Sequence, residues 1–263
     1  MKNIIKLMMI SGILLSANAF SATNAYKVIV KQLDLCTDWA CTTPFNMFTG
    51  SQNASVGVNG VTAGSDIAIK IPTSGSNYNK LRQKISTTFI LNGSAIDENG
   101  SGDYCATGQT SSYANSTLSE AAATEDSIVM PVSGMFSSGN GVDSAGTIFY
   151  GKTTPMQAEL EALGYTTKSV GNTSTKNDYT MVLKQDTLGD DTFYITTVMQ
   201  GDFDYGTGKA PSIVNFGITV SGGEGITGMV CNAGLISAGM CAAGTTNQCI
   251  IYPNEPVFDF KIQ

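Results

Sequence analysis

"YKVIVKQLDL", residues 26–35, alternates apolar and polar side chains with a period of two, the mark of a strand with one face on a core and the other toward water. The pattern recurs in "SDIAIKI" (65–71), which stops at Pro72, and in "LRQKISTTFIL" (81–91), which runs into the turn pair Asn92-Gly93. It returns in "SIVMPVSGMF" (127–136), "DYTMVLKQ" (178–185), "DTFYITTVMQ" (191–200), "SIVNFGITVS" (212–221) and "QCIIY" (248–252). The last run is "PVFDFKI" (256–262), where Val257, Asp259 and Lys261 oppose Phe258, Phe260 and Ile262. Clusters of Gly, Asn, Ser and Asp between the runs mark turns. About ten short strands punctuated in this way predict an all-β fold, an antiparallel β-sandwich of Greek-key or jelly-roll type with long loops.

One helix is expected, at "TTPMQAELEALG" (153–164). Thr154 is its N-cap, Pro155 its first helical residue, and Gln157 completes a T-x-x-Q capping box. Glu159 and Glu161 suit the positive end of the helix dipole, Gly164 ends the helix, and Met156, Leu160 and Leu163 form its apolar face.

The start of the chain, "MKNIIK", followed by the apolar "LMMISGILL" and the small residues of "SANAFSA", reads as a secretory signal peptide. Ala17-Asn18-Ala19 supplies the small residues before the cut, so residues 1–19 form the leader and 20–263 a single secreted β-sandwich domain. A loop-rich insertion is expected near 97–126. The apolar run is shorter than the roughly 20 residues a membrane-spanning helix needs, and no later stretch approaches that length, so no membrane span is expected after cleavage. The expected location is extracellular or at the cell surface, with the periplasm in transit.

The six cysteines, Cys36, Cys41, Cys105, Cys231, Cys241 and Cys249, all follow the leader, and an even number in an exported chain argues for disulfides. Their spacings are not those of zinc sites. The reading favours Cys36–Cys41 as a local ring, with the other four linking the Cys105 region to the C-terminal cluster.

The chain carries 14 basic and 21 acidic residues, and removal of Lys2 and Lys6 with the leader takes its net charge from −7 to −9. Nucleic acid and anionic membrane surfaces are therefore poor partners. Charged residues make up 13% of the chain, about half the usual share, and Ser and Thr at about a fifth take their place as the polar component.

There is no His. That removes Ser-His-Asp and Cys-His catalysis and the usual near-neutral proton shuttle. No S-x-x-K, G-x-S-x-G, phosphate-binding Gly loop or dinucleotide fingerprint occurs either, so neither an enzyme nor a cofactor is expected. A two-carboxylate glycosidase needs no His, but Glu159 and Glu161, two apart on a helix, point to different sides. Asp202 and Asp204 in "GDFDYGTGK" share one face of an extended segment and, with Asp190 and Asp191, are a weak calcium candidate. The loop lacks a third acidic position, and residue 213, where an EF-hand needs Glu, is Ile.

The single Trp of the chain, Trp39, lies beside Asp38 inside "CTDWAC" (36–41). On a stapled loop it is either a contact residue for a ligand, with Asp38, or a plug folded back over the sandwich edge. The combination of leader, strands and disulfides resembles many exported bacterial surface proteins. Two readings follow. The first is a surface structural or adhesive protein, such as a filament or surface-layer subunit, whose first strand or last strand pairs with other copies. The second is a monomeric extracellular module that binds a surface glycan or a protein ligand.

Overall fold

Strand β1 (Ala22–Cys36) pairs antiparallel with strand β4 (Tyr78–Ile96) from Ala22↔Ser94 to Cys36↔Lys80, and this long ladder is the spine of the molecule. The computed structural model describes residues 22–56, 62–63, 69–72, 78–97, 104–108, 123–129, 148–150, 155–169, 181–187, 190–203, 214–220, 226–237, 244, 248–253 and 256–262. The leader read at residues 1–19 lies outside them.

On the far side of β1 lies β2 (Phe45–Val56). Beyond β4 come β10 (Thr192–Phe203), β9 (Met181–Lys184), β7 (Ile148–Tyr150) and β8 (Thr167–Ser169), giving the order β2-β1-β4-β10-β9-β7-β8. The edge of β4 opposite β1 is shared. β10 takes it between Tyr78 and Ser86, β6 (Asp126–Val129) between Thr88 and Leu91, and β5 (Tyr104–Ala106) between Ser94 and Ile96. Two small antiparallel sheets complete the described strands. One is β14 (Pro256–Ile262), β11 (Val214–Val220) and β3 (Thr62–Ala63), in that order; the other pairs β12 (Ile226–Val230) with β13 (Cys249–Pro253). The all-β class expected from the periodicity is the class observed.

The alternation of β1 decides the core, but it slips phase once. Tyr26, Val28 and Val30 point inward, and then Leu33 and Leu35 do, so the inward set moves from even to odd positions. A β-bulge absorbs the extra residue: the register shifts between Val30 and Gln32 against both β2 and β4. Without it, Leu33 and Leu35 would face outward. β4 keeps one phase, with Leu81, Ile85, Phe89 and Leu91 inward, and β10 adds Phe193 and Ile195. Tyr26 and Phe89 meet edge to face, with ring centroids 5.8 Å apart. Gln83, at an inward position of β4, is fully buried, and neither polar atom of its amide finds a partner.

The second layer enters this core through Ile226 of β12 and Ile251 of β13. Gly228 permits the close approach, since a Cβ there would meet the Ala95 carbonyl oxygen and the Cys105 Cβ, both at 3.0 Å. Asp97, buried at the end of β4, accepts a 2.9 Å hydrogen bond from the Val230 amide, and the Cys105–Cys249 disulfide ties β5 to β13.

Several expectations change. The Asn92-Gly93 pair does not turn the chain. Pairing with β1 and β5 on the two edges carries β4 through to Ile96, and ladder bonds on both sides override local turn preference. In the stretch expected as a strand over 65–71, Ile69–Ile71 is not in a strand. It meets β2 through one bond, from the Lys70 amide to the Met47 carbonyl (2.8 Å), while Ile69 and Ile71 pack on the core. Within the region read as a loop-rich insertion, near 97–126, the described residues include β5, and β6 begins at its last residue. A second helix, α2 (Ala233–Ser237), is present beside the expected one. Among the described residues one strand pair is parallel: β7 and β8 flank α1 (Pro155–Ala162), the crossover that parallel pairing requires.

Helix α1 ends as its sequence indicates. Gly164 has φ +84°, its amide bonds the Glu161 carbonyl (2.9 Å), and the Tyr165 amide reaches back to Leu160 (3.1 Å), a Schellman motif with Tyr165 and Leu160 in one apolar cluster. Leu160 is fully buried, whereas Leu163, expected on the same face, is 48% exposed because the chain has already turned away. Thr154, the expected cap, lies outside the described residues. The Gln157 amide donates to Glu161 Oε1 (2.8 Å).

Gly108 follows β5 with φ +74°, and a Cβ there would stand 1.8 Å from Thr124 Oγ1. The site holds a brace: Thr107 Oγ1 donates to the Thr124 carbonyl (2.7 Å), and the Thr124 amide donates to the Thr107 carbonyl (3.0 Å). Gly108→Ala therefore combines an unfavourable backbone region with a clash. Urea unfolding is expected to show a loss of about 2 kcal/mol or more, where a substitution at an ordinary exposed turn would change stability by under about 0.5 kcal/mol.

Candidate functional site

The Cys36–Cys41 ring forms as expected, with Cα atoms 5.0 Å apart, and it closes the connection between β1 and β2. Cys41 has φ +54°, a region an L-residue enters at a cost, and the surrounding bonds hold it there. Asp38 caps the ring: its carboxylate accepts from the Thr42 amide (3.1 Å) and the Thr42 hydroxyl (2.7 Å), while its carbonyl accepts from the Cys41 amide (3.2 Å). Cys105–Cys249 joins the Cys105 region to the C-terminal cluster, and Cys231 is disulfide-bonded to a partner outside the described residues.

Trp39 is 7% exposed. Its indole packs on Leu160 of α1 and Val182 of β9, its backbone amide donates to Glu159 Oε1, and Lys80 Nζ sits 5.2 Å from the ring centroid. The ring thus plugs the space between the stapled loop and the helix. The ring is engaged by the protein itself, and Asp38 is engaged in the loop's own bonds.

A polar array spreads over the outer face of the main sheet. The phase slip in β1 turns Asp34 outward, into register with Asn46 of β2 and Arg82 of β4. Asp34 is fully buried there beneath five hydrogen bonds. Gln32 Nε2 reaches both its oxygens (3.0 and 2.8 Å), Asn46 Nδ2 reaches Oδ1 (2.9 Å), and Arg82 Nε and Nη2 reach Oδ2 (3.0 and 2.8 Å). A carboxylate so fully occupied is a structural anchor. Reading β1 as one unbroken alternation hides it; the signal in the sequence is the outward triplet Lys80, Arg82 and Lys84, which needs anions from neighbouring strands.

Tyr194 of β10 lies between two of these cations, with Arg82 Cζ 5.2 Å and Lys84 Nζ 4.8 Å from its ring centroid. Lys84 also donates to Asp186 (3.2 Å), which Lys184 approaches at 3.5 Å. Burial opposes the charge on Lys84, but its interactions with Tyr194 and Asp186 outweigh that and raise its pKa. For Asp186 burial likewise opposes ionisation, and Lys84 and Lys184 override it to hold the carboxyl below its usual range.

Asp202 lies near the end of β10, and Asp204 is outside the described residues. Among the described residues no group of three or more His, Cys, Asp or Glu side chains could hold a metal ion.

Sheet edges are the remaining candidates for contact with a partner. β1 is hydrogen-bonded on both sides, to β2 and β4. β2, at the border of the main sheet, is met from outside by Lys70, and β8 at the other border is three residues long. β14 differs. It is seven residues long, pairs with β11 on one side, and on the other has no strand partner among the described residues. No protein family, no curated protein and no solved structure was matched by the chain.

Two measurements check this geometry. Emission from Trp39 should be blue-shifted and weakly quenched by acrylamide in the native protein, shifting red on unfolding; a solvent-exposed indole would give red emission and free quenching from the outset. Lys84→Met tests the ion pair. Asp186 has a lowered pKa, so its contribution is present above the usual Asp range and lost as pH falls through the lowered value. Lys84 has a raised pKa, so its contribution is present below the usual Lys range and lost as pH rises through the raised value. The substitution should therefore cost up to about 1 kcal/mol between about pH 5 and pH 9, and the electrostatic part of that cost should fade as pH falls below the usual Asp range.

Proposed function

We propose that this chain is a secreted, bacterial-type surface structural or adhesive protein whose copies associate through the edge of strand β14. The observation that carries the reading is that edge: seven residues of alternating character with no strand partner on one side among the described residues. An edge of this kind presents backbone donors and acceptors to another chain. The first strand is not available in the same way, because freeing it would break two ladders.

Other features support an extracellular role. The first residues have the form of a secretory leader, and disulfides join Cys36 to Cys41 and Cys105 to Cys249. Among the described residues no helix is long and apolar enough to cross a membrane. The low share of charged residues and the abundance of hydroxyls suit a surface built to be packed against, and a His-free chain without catalytic motifs supports a role that involves no chemistry.

Light scattering coupled to size-exclusion chromatography over a range of concentrations, with negative-stain imaging, tests the proposal on the purified oxidised protein. Species larger than one chain should accumulate as concentration rises. A uniform monomer at every concentration would sink the reading and favour the monomeric ligand-binding module.

A further inference from the structure

Strand β14 lies in register with β11 so that Phe258, Phe260 and Ile262 stand opposite Ile218, Phe216 and Val214, while Val257, Asp259 and Lys261 stand opposite Thr219, Gly217 and Asn215. Aligned pairs share a face in an antiparallel sheet, so Phe258, Phe260 and Ile262 share one face with Ile218, Phe216 and Val214, while Asp259 and Lys261 fall on the other, with Val257 at its end. The charged positions of β14 therefore meet Gly217 and Asn215 across the ladder, and no charged position.

The order Asp259-Phe260-Lys261 is complementary to its own reverse. Two β14 strands related by a twofold axis can align without exchanging faces only when a residue sits on the axis. With Asp259 on the axis, Asp259 meets its own copy. With Lys261 there, Lys261 does the same, and with Phe258 there Asp259 meets Val257. With Phe260 on the axis, Asp259 falls opposite Lys261 of the second copy, Lys261 falls opposite its Asp259, and Phe258 falls opposite its Ile262. One alignment thus places opposite charges across from each other twice while keeping the apolar face continuous.

We infer that a second copy of this chain pairs antiparallel with β14 in the register centred on Phe260, joining the two small sheets of β14, β11 and β3 into one sheet across the twofold axis. The inference deepens the self-association proposed above and rests on it. Such an interface is closed: it yields a dimer, and any longer assembly would require a further surface.

Charge reversal tests the register, with circular dichroism confirming that each variant retains its strands. Asp259→Lys puts Lys opposite Lys at both reciprocal positions, and Lys261→Asp puts Asp opposite Asp. Each should raise the dimer dissociation constant by about tenfold or more. Asp259→Lys combined with Lys261→Asp restores both opposite-charge pairs and should return the constant to within about threefold of the starting protein. A mixture of the two single variants should form heterodimers in preference to homodimers in native mass spectrometry. If the unmodified chain dimerises but the single reversals leave the constant unchanged, or the double reversal fails to restore it, the register is wrong and the association proposal stands. If the unmodified chain is monomeric throughout, both fall.

Discussion

Strand β4 has to satisfy backbone hydrogen bonds along both edges over 19 residues, and the rest of the architecture follows from how it does so. β1 takes one edge almost entirely. The other is divided among β10, β6 and β5, three segments distant from one another in the sequence. Burying so long a ladder would be costly if any stretch lacked partners, because an unpaired backbone group in a dry interior costs about as much as a lost hydrogen bond. The pairing explains why a turn-forming Asn-Gly pair stays extended. It also explains why the segment after Asp97 returns to the sheet through β5 and the Thr107–Thr124 brace instead of leaving the surface as a free loop.

The bulge in β1 links this constraint to the electrostatics. One extra residue near Lys31 keeps Leu33 and Leu35 in the core and at the same time turns Asp34 outward between Asn46 and Arg82. The outward cations of β4 are then held one by one. Arg82 meets Asp34, Lys84 meets Asp186, and Lys80 lies beside the Trp39 ring and donates to the Thr37 carbonyl (3.1 Å). A row of like charges on alternate residues of one strand is tolerated because each is answered from a different neighbour.

The disulfides work at two scales. Cys36–Cys41 closes five residues and shapes a loop; its result is to hold Trp39 against Leu160 and Val182, so that α1 seats on the same end of the sheet. Cys105–Cys249 closes a sequence separation of 144 and fastens the second layer to the first, beside the point where Gly228 lets the two backbones meet. In the chain-entropy view the long closure restricts the unfolded chain far more than the short one. The local ring and the long-range link thus have distinct effects, one on shape and one on layer association.

Side-chain alternation with a period of two is a local property, and it was enough to determine the strands at 26–35, 81–91, 191–200, 212–221 and 256–262, the all-β class, and the Gly164 helix stop. The cysteine spacing was enough to indicate the short ring. Which face of each strand stays inward along its whole length was not legible, because the bulge that changes the phase of β1 is set by its pairing with β2 and β4. For the same reason the outward seat of Asp34, and its burial there beneath Gln32, Asn46 and Arg82, could not be read from the alternation of β1. Trp39 was open to both display and burial until the helix that covers it, some 120 residues onward, was in place. The self-complementary order of Asp259, Phe260 and Lys261 was written in the sequence, but it acquired meaning when β11 was found on one side of β14 and no described strand on the other. Local chemistry sets what a strand can pair with; the neighbours brought by the tertiary fold decide which edge is left to do so.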